Sequence, residues 1–128
     1  MKTLGVGIDL VKNSRLKKSI KNKKFLKRIF SSKEIIISKK YKNRINFFAK
    51  RFAAKEAFVK SIGFGFRENL NFSDISIVND KLGKPGFLIT NKLKKIIKKK
   101  FKITSFNFFL SISDEKNYSV ALVVFQKV

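Results

Sequence analysis

Residues 3–11 read TLGVGIDLV, with Leu4, Val6, Ile8 and Leu10 on alternate positions and Gly5, Gly7 and Asp9 between them. That period of two predicts a strand. Glycine weakens a strand, and a frequent reason for it is the close approach of a ligand or of another backbone. The face bearing Asp9 therefore has room. After Ser14 the period changes, and Leu16, Ile20, Phe25, Leu26 and Ile29 line one side of a helix, or of two short ones, in a lysine-rich stretch reaching Phe30. Ser31 and Glu34 form a capping-box pattern ahead of Ile35, Ile36 and Ile37, predicting a helix that runs towards Tyr41.

Residues 45–62, INFFAKRFAAKEAFVKSI, contain no Gly or Pro and set Phe48, Ala49, Phe52, Ala53 and Val59 on one side at helical spacing. Gly63 and Gly65 end this helix. Beyond the loop GFGFRENLNF, residues 75–78 read as a strand, 79–85 (NDKLGKP) as a turn and 87–89 as a second short strand. Thr90 or Asn91 can cap a helix that carries Leu93, Ile96, Ile97 and Phe101 under an outer face of lysines. Residues 106–113 and 118–125 predict a terminal antiparallel hairpin turning at 114–117. No internal repeat or linker interrupts the pattern, so residues 1–128 are expected to fold as one domain.

Composition narrows the chemistry more than the fold. The 128 residues, 44% hydrophobic with 15 phenylalanines, suffice for one core and are too few for two. A formal net charge of +23 would attract phosphates, nucleic acid, anionic membranes or an acidic protein. Only five of the 31 basic residues are arginine, and Lys, Ile, Asn and Phe are abundant. The excess thus reads mainly as A+T-rich codon usage spread over solvated faces, and charge alone identifies no partner. With neither cysteine nor histidine, thiolate nucleophiles, zinc sites built on those residues and histidine acid–base chemistry are excluded. A metal would be held by oxygens, favouring magnesium, calcium or manganese, and eight Asp and Glu are the available carboxylates. No signal peptide is evident and no run reaches the roughly 20 apolar residues of a membrane span, so a cytoplasmic location is expected.

Glu56 borders the apolar arc of its helix, four residues after Phe52 and three before Val59. A buried carboxylate there needs a partner. An ion pair with Lys60 at i+4 would contribute about 0.3–0.5 kcal/mol if exposed. The alternative is a cation shared with Asp9, since two carboxylates from separate segments suit magnesium, which takes its remaining ligands from water and substrate phosphates.

In order and spacing, GVGIDLV, FFAKRFAAKEAFVKSIGFG, DISIVNDKLGKP and SISDEKNYSVALVVF resemble holo-[acyl carrier protein] synthases of the 4'-phosphopantetheinyl transferase superfamily. RFAAKEAFVK at 51–60, together with GIDLV, is the most specific part. The resemblance implies a small α+β fold, a small antiparallel sheet with packed helices, assembled as a homotrimer with coenzyme A in clefts between subunits. It also implies transfer of the 4'-phosphopantetheine arm of coenzyme A to a serine of an apo-acyl carrier protein, releasing adenosine 3',5'-bisphosphate, in support of fatty acid biosynthesis. By motif position Asp9 and Glu56 correspond to magnesium ligands, and Lys60 to the lysine beside the reacting phosphate. Arg51, Gly83, Lys84 and Pro85 fall in segments lining the coenzyme cleft, and Arg15 in the basic helical region that meets the acidic carrier protein. The serine proton would leave through a water near the metal or through Asp9 or Glu56.

Two positions depart from the family pattern. Asp114 stands where a histidine is expected near the coenzyme, and Lys12 stands where the family often has a glutamate near the metal. Neither change touches Asp9, Glu56 or Lys60, and an active enzyme of reduced efficiency is expected. The rival expectations are a docking module for the carrier protein that has lost its chemistry, and a small basic nucleic-acid-binding protein. No specific nucleic acid and no membrane are expected as partners.

Overall fold

The computed structural model describes residues 1–63 and 69–128. Strand β1 (Lys2–Lys12) leads through a single 3-10 turn into three short helices, α1 (Leu16–Ser19), α2 (Lys23–Ile29) and α3 (Ser32–Ser38). They are followed by the long helix α4 (Arg44–Ile62). Strands β2 (Ser76–Asn79) and β3 (Pro85–Leu88) form a ribbon, α5 (Asn91–Phe101) follows, and β4 (Phe106–Asp114) and β5 (Tyr118–Lys127) close the chain. These are the elements the patterning predicts, in the α+β arrangement the resemblance implies. The basic segment after Ser14 takes the two-helix alternative, because Ile20, Lys21 and Asn22 turn the chain and Asn22 caps α2 through its side chain. Ser31 and Glu34 form the predicted capping box, and Thr90 supplies the cap of α5. Gly63 ends α4 at φ +78°, a left-handed conformation suited to glycine. Gly65 lies outside the described residues.

Two antiparallel sheets are present among the described residues, one ordered β1-β5-β4 and the other the β2-β3 ribbon. Helix α4 lies across the first. A Cβ added to Gly5 or Gly7 would stand 1.8 Å from the carbonyl oxygen of Ser61 or Ala57, so the strand and helix backbones touch. The match is geometric: four helical residues advance about 6 Å, close to the rise of two strand residues. Glycine at alternate strand positions thus seats every fourth helical residue. The room expected beside Asp9 is taken up, at Gly5 and Gly7, by helix backbone.

With a sheet beneath and other elements around it, α4 is buried on nearly all sides: Phe47, Phe48, Ala53, Ala57 and Phe58 are core residues, and so are Arg51 and Lys55. The single apolar side expected from spacing was too narrow, because this helix is central and not laid on the surface. The alternating face of β1 also points the other way from a simple amphipathic reading. Val6, Ile8 and Leu10 are 57%, 58% and 63% exposed, while Gly7 and Val11 face the core. No helix among the described residues is long and apolar enough to cross a membrane.

Candidate active site

Seating α4 on β1 brings Asp9, Glu56 and Lys60 together. Asp9 is the next inward position after Gly5 and Gly7, and Glu56 and Lys60 flank Ala57, the residue over Gly7. Lys60 Nζ donates to Asp9 Oδ1 at 3.1 Å and to the Ile8 carbonyl at 3.0 Å. The lysine therefore pairs across elements and not with Glu56 along its own helix. With side chains 54% and 18% exposed, that pair is worth only about 0–1 kcal/mol, so it positions charge and leaves the ammonium free to lean towards a ligand.

Glu56 is half-buried and makes no hydrogen bond or ion pair among the described residues. Burial pushes its carboxyl above the ordinary value, the neighbouring Asp9 carboxylate pushes it further up, and Lys60 opposes both. Two carboxylates that repel each other at the edge of a core invite a shared cation. They are two and no more: no group of three or more acidic residues converges among the described residues. A pair of carboxylates with open positions nevertheless fits magnesium, which retains waters and takes substrate phosphates as ligands. Asp9 and Glu56 are the residues that could hold it.

A second feature lies elsewhere. Arg51, Gly83 and Pro85 line one cavity of about 200 Å3, together with Tyr41, Lys50, Ile77, Asn79, Ile112 and Asp114. Arg51 stacks on Phe47, its guanidinium carbon 3.6 Å from the ring centroid, and its Nε has no hydrogen-bond partner among the described residues. Burial lowers its affinity for a proton, opposed by Glu34 and Tyr41. A buried cation with an unsatisfied donor on a cavity wall suits an anion. Gly83, at φ +85°, sits in a turn held by Asp80, whose carboxylate accepts from the backbone N–H groups of Leu82 and Lys84. The Lys84 side chain is exposed and does not line the cavity.

Asp114 stands on the wall of this cavity, where Asn46 Nδ2 donates to its Oδ2 at 2.7 Å. Lys12 is on the outward-facing parity of β1, shared with Leu10, and borders a separate polar cavity with Asn13 and Lys17. Strand alternation thus turns it away from the face carrying Asp9. Arg15 is exposed at the end of the 3-10 turn before α1. The cavity contains none of Asp9, Glu56 and Lys60. Arg51 and Glu56 are five positions apart on α4 and so point about 140° apart around it.

Sequence reasoning missed Lys55. It is fully buried, ion-paired with Glu34 at 2.7 Å, and donates to the carbonyls of Phe72 and Ile75. A lysine in the middle of the apolar run FAAKEAF was the available signal. The other cavity residues, Tyr41, Lys50, Ile77, Asn79 and Ile112, come from four separate segments and left no local signature.

Comparison with known proteins gives this arrangement its context. The family model described as the 4'-phosphopantetheinyl transferase superfamily matches residues 5–123. A holo-[acyl-carrier-protein] synthase of Pelagibacter ubique is 66% identical over 127 residues, covering 99% of each chain. Among solved structures, holo-[acyl-carrier-protein] synthase from Neisseria meningitidis superposes with a TM-score of 0.87 at 36% identity, over 98% of this chain and 99% of that one. The Bacillus anthracis synthase in complex with CoA (3',5'-ADP) gives 0.81 at 33% identity, with complete coverage of both. The chain belongs to the 4'-phosphopantetheinyl transferase superfamily, and within it is similar to the holo-[acyl-carrier-protein] synthases.

Proposed function

We propose that this protein transfers the 4'-phosphopantetheine arm of coenzyme A to a serine of an apo-acyl carrier protein, producing holo-carrier and adenosine 3',5'-bisphosphate for fatty acid biosynthesis. The observation that carries this reading is the convergence of Asp9, Glu56 and Lys60, from positions about 50 residues apart, in a chain of this family. The carrier serine oxygen attacks phosphorus in the diphosphate of coenzyme A. A new P–O bond forms, and the bond to the departing adenosine bisphosphate breaks. Negative charge must be held while these bonds exchange.

Lys60 supplies a positive charge beside Asp9, within reach of a phosphate oxygen. Asp9 and Glu56 would hold Mg2+, which when bound supplies positive charge to the diphosphate oxygens. With no histidine in the chain, the serine proton passes to a carboxylate of this pair or to a water beside it. Arg51, with Gly83 and Pro85, forms an anion-binding cavity suited to the bisphosphate end of the coenzyme, and exposed Lys84 lies between Gly83 and Pro85 in the chain. Asp114 in that wall puts negative charge beside phosphates and weakens coenzyme binding.

The two halves of the site face different sides of α4, which supports an assembly in which one copy contributes the carboxylates and its neighbour the cavity. The outward sheet face offers the surface for it. Val6, Val124 and Phe109 lie in one row across β1, β5 and β4, Ile8 and Leu122 in the next, and Leu10 and Val120 in a third. An uncovered apolar sheet of this kind marks an interface, and a homotrimer with three clefts is the reading consistent with the family. Leu122→Glu is expected to yield monomers by light scattering and to abolish transfer. A trimer of full activity would remove the shared-site reading. Arg15 and its lysine neighbours would meet the acidic carrier protein.

Incubating the protein with coenzyme A, Mg2+ and an apo-carrier protein, followed by mass spectrometry of the carrier, tests the function directly. Addition of one phosphopantetheine group is expected. Carrier binding without mass gain would instead mean a docking module.

A further inference from the structure

We propose that the buried Glu34–Lys55 pair is a positioning element for the coenzyme cleft, holding the β2-β3 ribbon at the distance from α4 that the ligand requires. The inference rests on reading the Arg51 cavity as that cleft. Its walls come from separate elements, with Tyr41 and, from β4, Ile112 and Asp114 completing them. Lys50 and Arg51 belong to α4, whereas Ile77, Asn79, Gly83 and Pro85 belong to the ribbon and its turn. A two-stranded ribbon is at best marginally stable alone, so the cleft keeps its width only if the ribbon is tied to the helix.

Phe87 does part of this, packing on Phe58 of α4 and Phe108 of β4. Those ring contacts hold a side chain, however, and make no bond to the strand's backbone. The ion pair acts on backbone. Lys55 Nζ donates to Glu34 Oε1 at 2.7 Å, to the Phe72 carbonyl at 3.0 Å and to the Ile75 carbonyl. Glu34 Oε2 accepts from the N–H of Ile77, itself a cavity residue, at 3.3 Å. Its Oε1 also accepts from the N–H of Ser31 at 3.0 Å, and the Ser31 hydroxyl meets that of Ser76 on β2 at 3.0 Å. Helix α3, helix α4 and the chain entering β2 are thereby locked through directional bonds. Arg51 is one helical turn before Lys55, on the same side of α4, so the pair sits directly behind the cationic wall.

Stability by itself is a weak reason for this arrangement. Desolvating two charges commonly costs as much as their attraction returns, and apolar residues of similar volume often replace such pairs without loss. Burial indeed lowers Lys55's hold on its proton, with Glu34 opposing. What an apolar pair cannot supply is a fixed distance to four backbone groups. A wall displaced by about 1 Å is enough to spoil ligand placement.

The test uses the full-length double variant Glu34→Leu/Lys55→Met, which leaves no charge unpaired. It is expected to fold with wild-type circular dichroism. Its KM for coenzyme A and its Kd for adenosine 3',5'-bisphosphate by calorimetry should rise about tenfold or more. KM for the carrier protein and kcat should stay within about threefold of wild type. A purely structural role would reduce the folded fraction, lowering apparent kcat and the calorimetric stoichiometry while leaving KM and Kd unchanged. A folded double variant with wild-type coenzyme KM and nucleotide Kd overturns the proposal. Should the double variant not fold, Ser76→Ala removes only the hydroxyl tie from β2 to α3. It is expected to weaken nucleotide binding about threefold, and unchanged affinity overturns the proposal equally. A wild-type protein that does not bind the nucleotide overturns the cleft reading itself, a result distinct from equal binding by wild type and variant.

Discussion

Glu56→Gln is expected to abolish transfer while raising the thermal midpoint of the metal-free protein. The two effects share one cause. Glu56 lies half-buried beside Asp9, and burial followed by the Asp9 charge raises its carboxyl above the ordinary value. The folded state therefore binds this proton more tightly than the unfolded chain does. Stability associated with the group is complete below the unfolded carboxylate value of about 4.3 and is lost as pH rises through the higher folded value. At neutral pH the ionised glutamate is a net burden that a neutral amide of the same shape removes. The midpoint difference between variant and wild type should be near zero at about pH 4 and grow, in the variant's favour, towards pH 7. Adding Mg2+ should reverse the order, stabilising the wild type through binding to the ionised pair and leaving Glu56→Gln unchanged. Scanning calorimetry across pH, with and without Mg2+, checks each part. A wild type that gains no midpoint from Mg2+, or a variant that transfers at the normal rate, would remove the metal assignment.

Gly7→Ala should be among the most damaging single-methyl changes in the protein. A Cβ there would lie 1.8 Å from the Ala57 carbonyl oxygen and 2.8 Å from the Ser61 nitrogen. Both are backbone atoms of α4, so no side chain can rotate away. Relief requires the helix to lift from the strand. Overpacking of ordinary cores costs about 1–3 kcal/mol, and a backbone-to-backbone clash belongs at or above the top of that range. A fall in the thermal midpoint of about 10 °C is expected for a domain of this size. Lifting α4 also separates Glu56 and Lys60 from Asp9, so kcat should fall far more than the folded fraction at 25 °C explains. Thermal denaturation with transfer kinetics distinguishes the two effects. A variant with wild-type midpoint would mean that the helix seats differently.

Much of this protein was legible along the chain because the relevant forces are local. Alternation in 3–11, the Ser31–Glu34 box, the Thr90 cap and a Gly/Pro-free run ending at Gly63 each depend on neighbours within a turn or two, and each element formed where the pattern placed it. Absence of histidine and cysteine confined the chemistry to carboxylates, lysine and hydroxyls. What could not be read was orientation. Gly5, Gly7 and Asp9 mark a face with room for a ligand or another backbone, yet nothing in the strand says that a helix backbone fills it while Val6, Ile8 and Leu10 face outward. Lys60 pairing with Asp9 in preference to Glu56, and Lys55 meeting Glu34 in the interior, are contacts across 51 and 21 residues. Such contacts depend on how elements dock, and docking is decided by packing summed over the whole core. A chain pattern specifies which faces are apolar; only the folded molecule assigns each face its neighbour.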